Sequence, residues 1–157
     1  MDDAPATPGA TTAASGGIDP RGPRFGAGLT AVVLAIALLT GSVWVLAVQA
    51  VVFAIGSRFG VQNTPYGLLF RRFVRPRLAP PTELEDPAPP RFAQTVGLFV
   101  TGAGLIFAAF GVGPAVEVAA AFALIAAFLN AAFGLCLGCE MYLLLARLRG
   151  PRAAVGS

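Results

Sequence analysis

The only two cysteines of the chain stand three residues apart, in Cys136-Leu137-Gly138-Cys139. On a helix that spacing puts both thiols on one face, one turn apart. Such a pair can close a disulfide, and the pairing generally makes the first thiol the more acidic. In soluble redox proteins the first cysteine sits at a helix N-terminus, where the macrodipole stabilises a thiolate. Here the pair ends a long apolar run. A continuous helix would therefore hold it near a C-terminus, with the dipole and neighbouring Glu140 both opposing the anion. A zinc or iron–sulfur centre needs four ligands, and one chain offers two cysteines and no histidine. Two copies would have to pool their thiolates, so no metal or cofactor is expected. The alternative is a pair of small, unreactive, buried cysteines that pack as hydrophobes. Spacing leaves redox chemistry and packing both open, because reactivity depends on exposure and on stabilisation of the thiolate.

The elements around this motif read as membrane scaffold. The 157 residues are 56% hydrophobic and 12% charged, with a mean hydropathy of +0.75. Soluble domains carry about 25% charged residues, so half that level points to lipid as the solvent. The net charge of +3 comes from eleven arginines and no lysine. They flank the apolar segments, where they act as topology signals, so nucleic acid is not an expected partner. The absence of histidine removes histidine general bases and histidine-ligated haem. Residues 1–20 are small and polar, and too poor in apolar groups to bury much surface; they are expected to be a disordered tail. Residues 150–157 form a short C-terminal tail. A signal peptide cleaved after Val48-Gln49-Ala50 is disfavoured, because the apolar run continues through Val51, Val52 and Phe53.

Residues 21–149 are expected to form one membrane domain. The 33 residues from Phe25 to Ser57 carry no charge. That is long for one crossing of about 20 residues and short for two. Thr40-Gly41-Ser42 splits the run into helices of about 25–40 and 42–57, a tight hairpin that either spans thinly or re-enters. Two further uncharged runs, Phe92–Val116 and Val118–Cys139, are separated by the turn signal Gly111-Val112-Gly113-Pro114. They predict helices of about 92–111 and 115–146. Neither hairpin tip carries an arginine, so with four spans all arginines fall on one side. The positive-inside rule makes that side cytoplasmic, together with both termini. The expected fold is an all-α integral membrane protein, with four transmembrane helices as two helical hairpins and an amphipathic cytoplasmic loop.

That loop covers residues 58–91. Thr64-Pro65 reads as an N-cap followed by proline at the first helical position. The helix it opens, Tyr66 to about Val74, would place Tyr66, Leu69, Phe70 and Phe73 on one face and Arg71, Arg72 and Arg75 on the other. This is the pattern of an interfacial helix in the headgroup layer. Tyr66, Phe70, Arg71, Arg72 and Arg75 are therefore candidates for docking onto the lipid bilayer or a cytoplasmic partner. Pro76 ends the helix. The proline-rich segment that follows holds Glu83, Glu85 and Asp86, which are expected to pair with nearby arginines. In the last apolar run Asn130, Gly134 and Gly138 recur every four residues. Gly134 and Gly138 form a GxxxG pair suited to close helix packing, within the chain or in a homo-oligomer, with Gln94 and Thr101 as partners for Asn130. Glu117 and Glu140 bracket this run as solvated ends, and nothing in the pattern resembles a transporter's ion path.

Three stretches together resemble a known family. They are Pro65-Tyr66-Gly67-Leu68-Leu69-Phe70, Glu85-Asp86-Pro87 with Pro89-Pro90-Arg91-Phe92-Ala93-Gln94, and Leu129-Asn130-Ala131-Ala132-Phe133-Gly134 through Cys136-Leu137-Gly138-Cys139-Glu140-Met141-Tyr142. The combination is similar to the bacterial membrane family catalogued as domain of unknown function 4395, common in actinobacteria. The resemblance covers about Pro20 to Arg149. It implies a four-helix protein of the bacterial plasma membrane without an established activity. Family members occur alongside thioredoxin-like and sulfurtransferase-like proteins, which implies a thiol–disulfide or sulfur-relay role for Cys136 and Cys139 and a cytoplasmic partner of one of those kinds. The competing readings are a non-enzymatic membrane scaffold with structural cysteines and, further off, a small-solute permease.

Overall fold

The computed structural model describes residues 16–150. Most of the expected N-terminal tail, and all of the C-terminal tail after Gly150, lie outside the described residues. Six α-helices make up the described fold: α1 (Arg21–Thr40), α2 (Val43–Phe59), α3 (Pro65–Leu69), α4 (Ala88–Ala109), α5 (Ala115–Phe133) and α6 (Leu137–Leu148).

The first hairpin turns where the sequence predicts. Gly41 takes the left-handed conformation (φ 61°) that stops α1. Ser42 then caps α2, its Oγ accepting from the Val45 N–H at 3.4 Å. The Thr64 cap also forms: its Oγ1 accepts from the Gly67 N–H at 3.0 Å, with Pro65 in the first turn of α3. After α3 the chain widens into a π turn (Phe70–Val74) and tightens into a 3-10 turn (Arg75–Arg77). The second hairpin departs from expectation at both ends. α4 begins at Ala88, because Pro89 and Pro90 fall in the first turn, where a helix needs no N–H donors. The helix expected over 115–146 is two helices, α5 and α6, broken at residues 134–136.

The two hairpins interleave. α1 lies along α5, α2 lies along α4, and α4 also packs on α5 and α6. The buried centre holds Leu34 and Ala37 of α1, Leu46 of α2, and Val116, Ala119, Ala120 and Ala123 of α5. Small side chains here let the backbones approach closely, the usual means of helix association in lipid. At Gly104 on α4 an added Cβ would collide with the Ala119 methyl and lie 3.2 Å from the Ala115 carbonyl. Thr101 is fully buried and satisfies its hydroxyl within α4, donating to the Gly97 carbonyl at 2.8 Å. Large apolar side chains such as Val32, Val48, Phe99, Phe122 and Phe128 point outward. α1, α4 and α5 are long and apolar enough to cross a membrane, while α2, at 17 residues, is a shorter apolar helix.

The connecting loop is strapped to the start of the bundle. Ile18 and Glu85 exchange two backbone hydrogen bonds of 2.9 Å in an isolated antiparallel bridge. The Arg21 guanidinium grips Asp19 (2.8 Å) and donates to the Ala79 carbonyl at 2.9 Å. Arg91 of α4 donates to the Ser57 and Arg58 carbonyls at 2.8 and 2.7 Å, satisfying the open C-terminal end of α2. Residues 16–20 are therefore ordered by contacts, unlike the tail expected to run to residue 20. The loop carboxylates also behave differently from expectation. Asp19–Arg21 is the single ion pair among the described residues. Glu85 engages through its backbone, and Asp86 accepts from the Ala88 N–H at 2.9 Å at the start of α4.

Two outcomes follow from this packing. Gly104→Leu forces α4 away from α5 and should destabilise the purified protein by about 1–3 kcal/mol, measured by unfolding in mixed detergent. The hydrogen-bonded Arg21 guanidinium holds the Asp19 carboxyl below its usual range. The stabilisation it lends is complete above the unfolded carboxyl's pKa of about 3.9 and is lost as pH falls through the lower folded value. Exchange protection of the Ile18 and Glu85 amides, corrected for intrinsic rates, should drop across that acid window and lose this pH dependence in Asp19→Asn.

Candidate functional site

The cysteine pair owes its geometry to the way α5 ends. Gly134 adopts φ 69°, a left-handed conformation that a side chain disfavours. Its N–H donates back to the Asn130 carbonyl at 3.0 Å, and the Leu135 N–H reaches the Leu129 carbonyl at 3.2 Å. With these C-terminal carbonyls satisfied, the chain extends through Cys136 (φ −88°, ψ 99°) and restarts as α6.

Cys136 is the N-cap of α6. Its Sγ accepts from the Cys139 N–H at 3.3 Å, and its carbonyl accepts from the Glu140 N–H at 3.0 Å. The two sulfurs lie at disulfide-bonding distance, with Cα atoms 5.2 Å apart, inside the range a disulfide requires. This reverses the electrostatics expected from the sequence. The pair does not end a helix; it begins one, so the dipole and a backbone N–H both favour a thiolate at Cys136. Glu140, in the first turn, is the one neighbouring group that still opposes it.

α6 is held against α4. A Cβ on Gly138 would lie 2.5 Å from the Ala93 Cα, and the Phe92 and Tyr142 rings meet with centroids 5.8 Å apart. The expected packing stripe therefore divides into three separate tasks. Gly138 gives the close helix approach, towards α4, the helix that carries Gln94 and Thr101. Gly134 makes the turn. Asn130 supplies its carbonyl to that turn and lines a cavity with its side chain. The proposed partners of Asn130 are engaged elsewhere: the Gln94 amide leans on Gly56 of α2, and Thr101 bonds its own helix.

That cavity, of about 620 Å³, is lined by both cysteines together with Arg24, Gln94, Asn130 and Tyr66. The Arg24 guanidinium rests against the α5–α6 turn, 3.6 Å from where a Gly134 Cβ would be. Neither Arg24 nor Gln94 stood out in the sequence as a neighbour of the cysteines. Both lie far from them along the chain, and only the interleaved packing brings them near. Among the described residues no cluster of three or more acidic or cysteine ligands could hold a metal ion.

The loop residues divide into an inner and an outer set. Phe70 is 3% exposed and packs on the Phe25 ring at 5.7 Å. Tyr66 donates its hydroxyl to Gln49 Oε1 at 2.9 Å, and burial pushes the Tyr66 phenol above its usual pKa. Both side chains thus face the bundle and not lipid or a partner. Arg71, Arg72 and Arg75 are exposed, with Leu68, Leu69 and Phe73 beside them. The π turn is the reason: the Arg75 N–H bonds to the Phe70 carbonyl, and the extra residue in that turn rotates Phe73 off the face of Phe70.

Fold and site together define an all-helical chain whose apolar helices carry a cysteine pair at a helix N-terminus. The chain belongs to the family described as a domain of unknown function (DUF4395), whose model matches residues 18–147. No curated protein and no solved structure matches it.

The N-cap geometry makes the two thiols inequivalent once reduced. At neutral pH the Cys136 thiol (in Cys139→Ser) should react with a soluble alkylating reagent about fivefold or more faster than the Cys139 thiol (in Cys136→Ser), as read by mass spectrometry.

Proposed function

We propose that this protein is a membrane thiol–disulfide exchange component, with Cys136 as the attacking thiol and Cys139 as the resolving thiol. One observation carries the reading: Cys136 caps α6 and accepts the Cys139 N–H, with the second sulfur at bonding distance. The Cys136 thiolate attacks one sulfur of a partner disulfide, forming a mixed disulfide and releasing the partner's first thiolate. Cys139, losing its proton, attacks the Cys136 sulfur and releases the partner's second thiolate. The pair ends as a disulfide and the partner as a dithiol; the reverse sequence runs the electrons the other way.

The same geometry favours exchange over sulfur relay. A persulfide formed on Cys136 would have Cys139 beside it, and attack by that thiol would close the disulfide and expel hydrosulfide.

In this reading both hairpins cross the bilayer, so the protein has four spans and its arginine-rich end faces the cytoplasm of a bacterial cell. The support is the arginine distribution: α1 starts with Arg21 and Arg24, the loop carries six more, and neither hairpin tip has one. A thioredoxin-like protein would dock on the outer loop face of Arg71, Arg72 and Arg75, part of the loop that packs onto α1. The test is acid-quenched thiol trapping in intact cells. Cys136 and Cys139 should shift together between dithiol and disulfide on exposure to oxidant or reductant. If both stay in one state throughout, the exchange reading is wrong and the cysteines are structural.

A further inference from the structure

The cavity beside the cysteines extends well beyond them. From Asn130 it continues along α5 to Phe122, a distance of about 12 Å at 1.5 Å per residue. Its far walls are apolar, with Phe53 of α2, Val100 of α4 and Ala126 of α5 among them, while Gln94 and Asn130 stand near the cysteine end. Among the described residues no hydrogen bond engages either of these two amide side chains, and both line the cavity, so their N–H donors are free for a ligand. A volume of about 620 Å³ is within the 300–1,000 Å³ of small-molecule sites, and apolar walls with a few convergent polar groups are their usual lining.

The position of the polar end narrows the ligand class. A molecule seated here keeps an apolar tail between helices long enough to cross a membrane and presents a head with hydrogen-bond acceptors to Gln94 and Asn130, against the two sulfurs. A phospholipid would fill the tail region but could do nothing with a dithiol. A quinone fits both ends: its ring carbonyls accept N–H donors, its prenyl tail is apolar, and it takes up two electrons and two protons, the number a dithiol gives up on closing its disulfide.

We propose that this cavity binds a lipid-soluble quinone as the electron acceptor for the cysteine pair, an inference that rests on the thiol-exchange reading. The two S–H bonds break and one S–S bond forms. Both protons and both electrons end on the quinone oxygens as two O–H bonds, so the pair is oxidised and the quinone leaves as quinol. Thiol exchange with a water-soluble partner then restores the dithiol, and the protein passes electrons from soluble thiols to the membrane.

The test uses full-length protein in lipid nanodiscs, reduced, freed of reductant and kept without oxygen. The probe is a short-tailed benzoquinone with a fully substituted ring, which thiols cannot add to directly. Expected are one quinol formed per two thiols lost, and a rate at least tenfold lower in Ala126→Phe, which fills the slot. Alkylation of Cys136 by a soluble reagent should be unchanged in that variant. Asn130→Ala, a change that favours the helix, gives a second reading should Ala126→Phe fail to fold, and should raise the quinone concentration needed for half-maximal rate. Dipyridyl disulfide serves as the control oxidant. If it oxidises the pair and the quinone does not, the quinone site is overturned and thiol exchange stands. If neither oxidises the pair, both are overturned. Equal quinone rates in wild type and the folded variants would also overturn the site, since oxidation would then bypass the cavity.

Discussion

Because Gly134 takes a left-handed conformation, α5 stops three residues before the α6 helix begins, and Cys136 falls in the cap position between them. Every chemical property of the pair depends on that interruption. Had the helix continued to Leu148, both sulfurs would sit in a helix interior, where every backbone N–H is already bonded and the dipole offers a thiolate nothing. With the break, the first sulfur meets the N–H of the second cysteine's own backbone, at the positive end of the α6 dipole. The Arg24 guanidinium against the turn adds positive charge on the same side. One backbone turn at Gly134 thus decides whether Cys136 lies inside a helix or caps one.

α4 packs against the helices on both sides of the break. Along its length α4 places Gln94 against Gly56 of α2, Gly104 against Ala119 of α5 and Ala93 against Gly138 of α6. In water such contacts would add little beyond apolar burial. In lipid, where burial of apolar surface between helices drives nothing, the close approach of small residues is the main source of cohesion. The glycines at these contacts, Gly56, Gly104 and Gly138, therefore bring four helices close together at once. The loop repeats the scheme on a smaller scale, with Arg21 and Arg91 satisfying carbonyls that the prolines and helix ends leave open.

Much of the framework was legible in the sequence because it is written in local signals. Thr40-Gly41-Ser42 carries its turn in three residues, and Thr64-Pro65 carries a cap and a first-turn proline; both form as read. Charge-free length and the arginine pattern depend on composition alone. What escaped was decided by competition between local signals or by tertiary contact. Gly134 sat in a GxxxG pattern that reads as a packing stripe, and the apolar run through Leu135 and Leu137 argued for continuity. In the structure Gly134 takes the stop, and Gly138 alone keeps the packing role, against Ala93. The loop aromatics failed for a similar reason: a π turn shifts the helical phase after Phe70, and no residue type announces one. Arg24 and Gln94 could not be placed beside the cysteines, since that needs the interleaving of the hairpins.

The dimensions of α6 then limit where the thiols can be. At 12 residues it is about 18 Å long, too short to cross a hydrocarbon core of about 30 Å. No residue in it is buried, yet Leu137, Met141, Leu144 and Leu148 form one exposed apolar stripe, and Glu140, Arg147 and Arg149 flank it with charge. A helix with such a face is stable lying in the headgroup layer, with its stripe towards the acyl chains. In that placement its N-terminus, and with it Cys136, would lie at the level where water meets hydrocarbon. A sulfur deeper in the bilayer could not form a thiolate, and one on a soluble domain could not reach a lipid-dissolved molecule. At the headgroup level the proposed exchange with a water-soluble thiol and the proposed ligand in the cavity along α5 would both be within reach of the same pair.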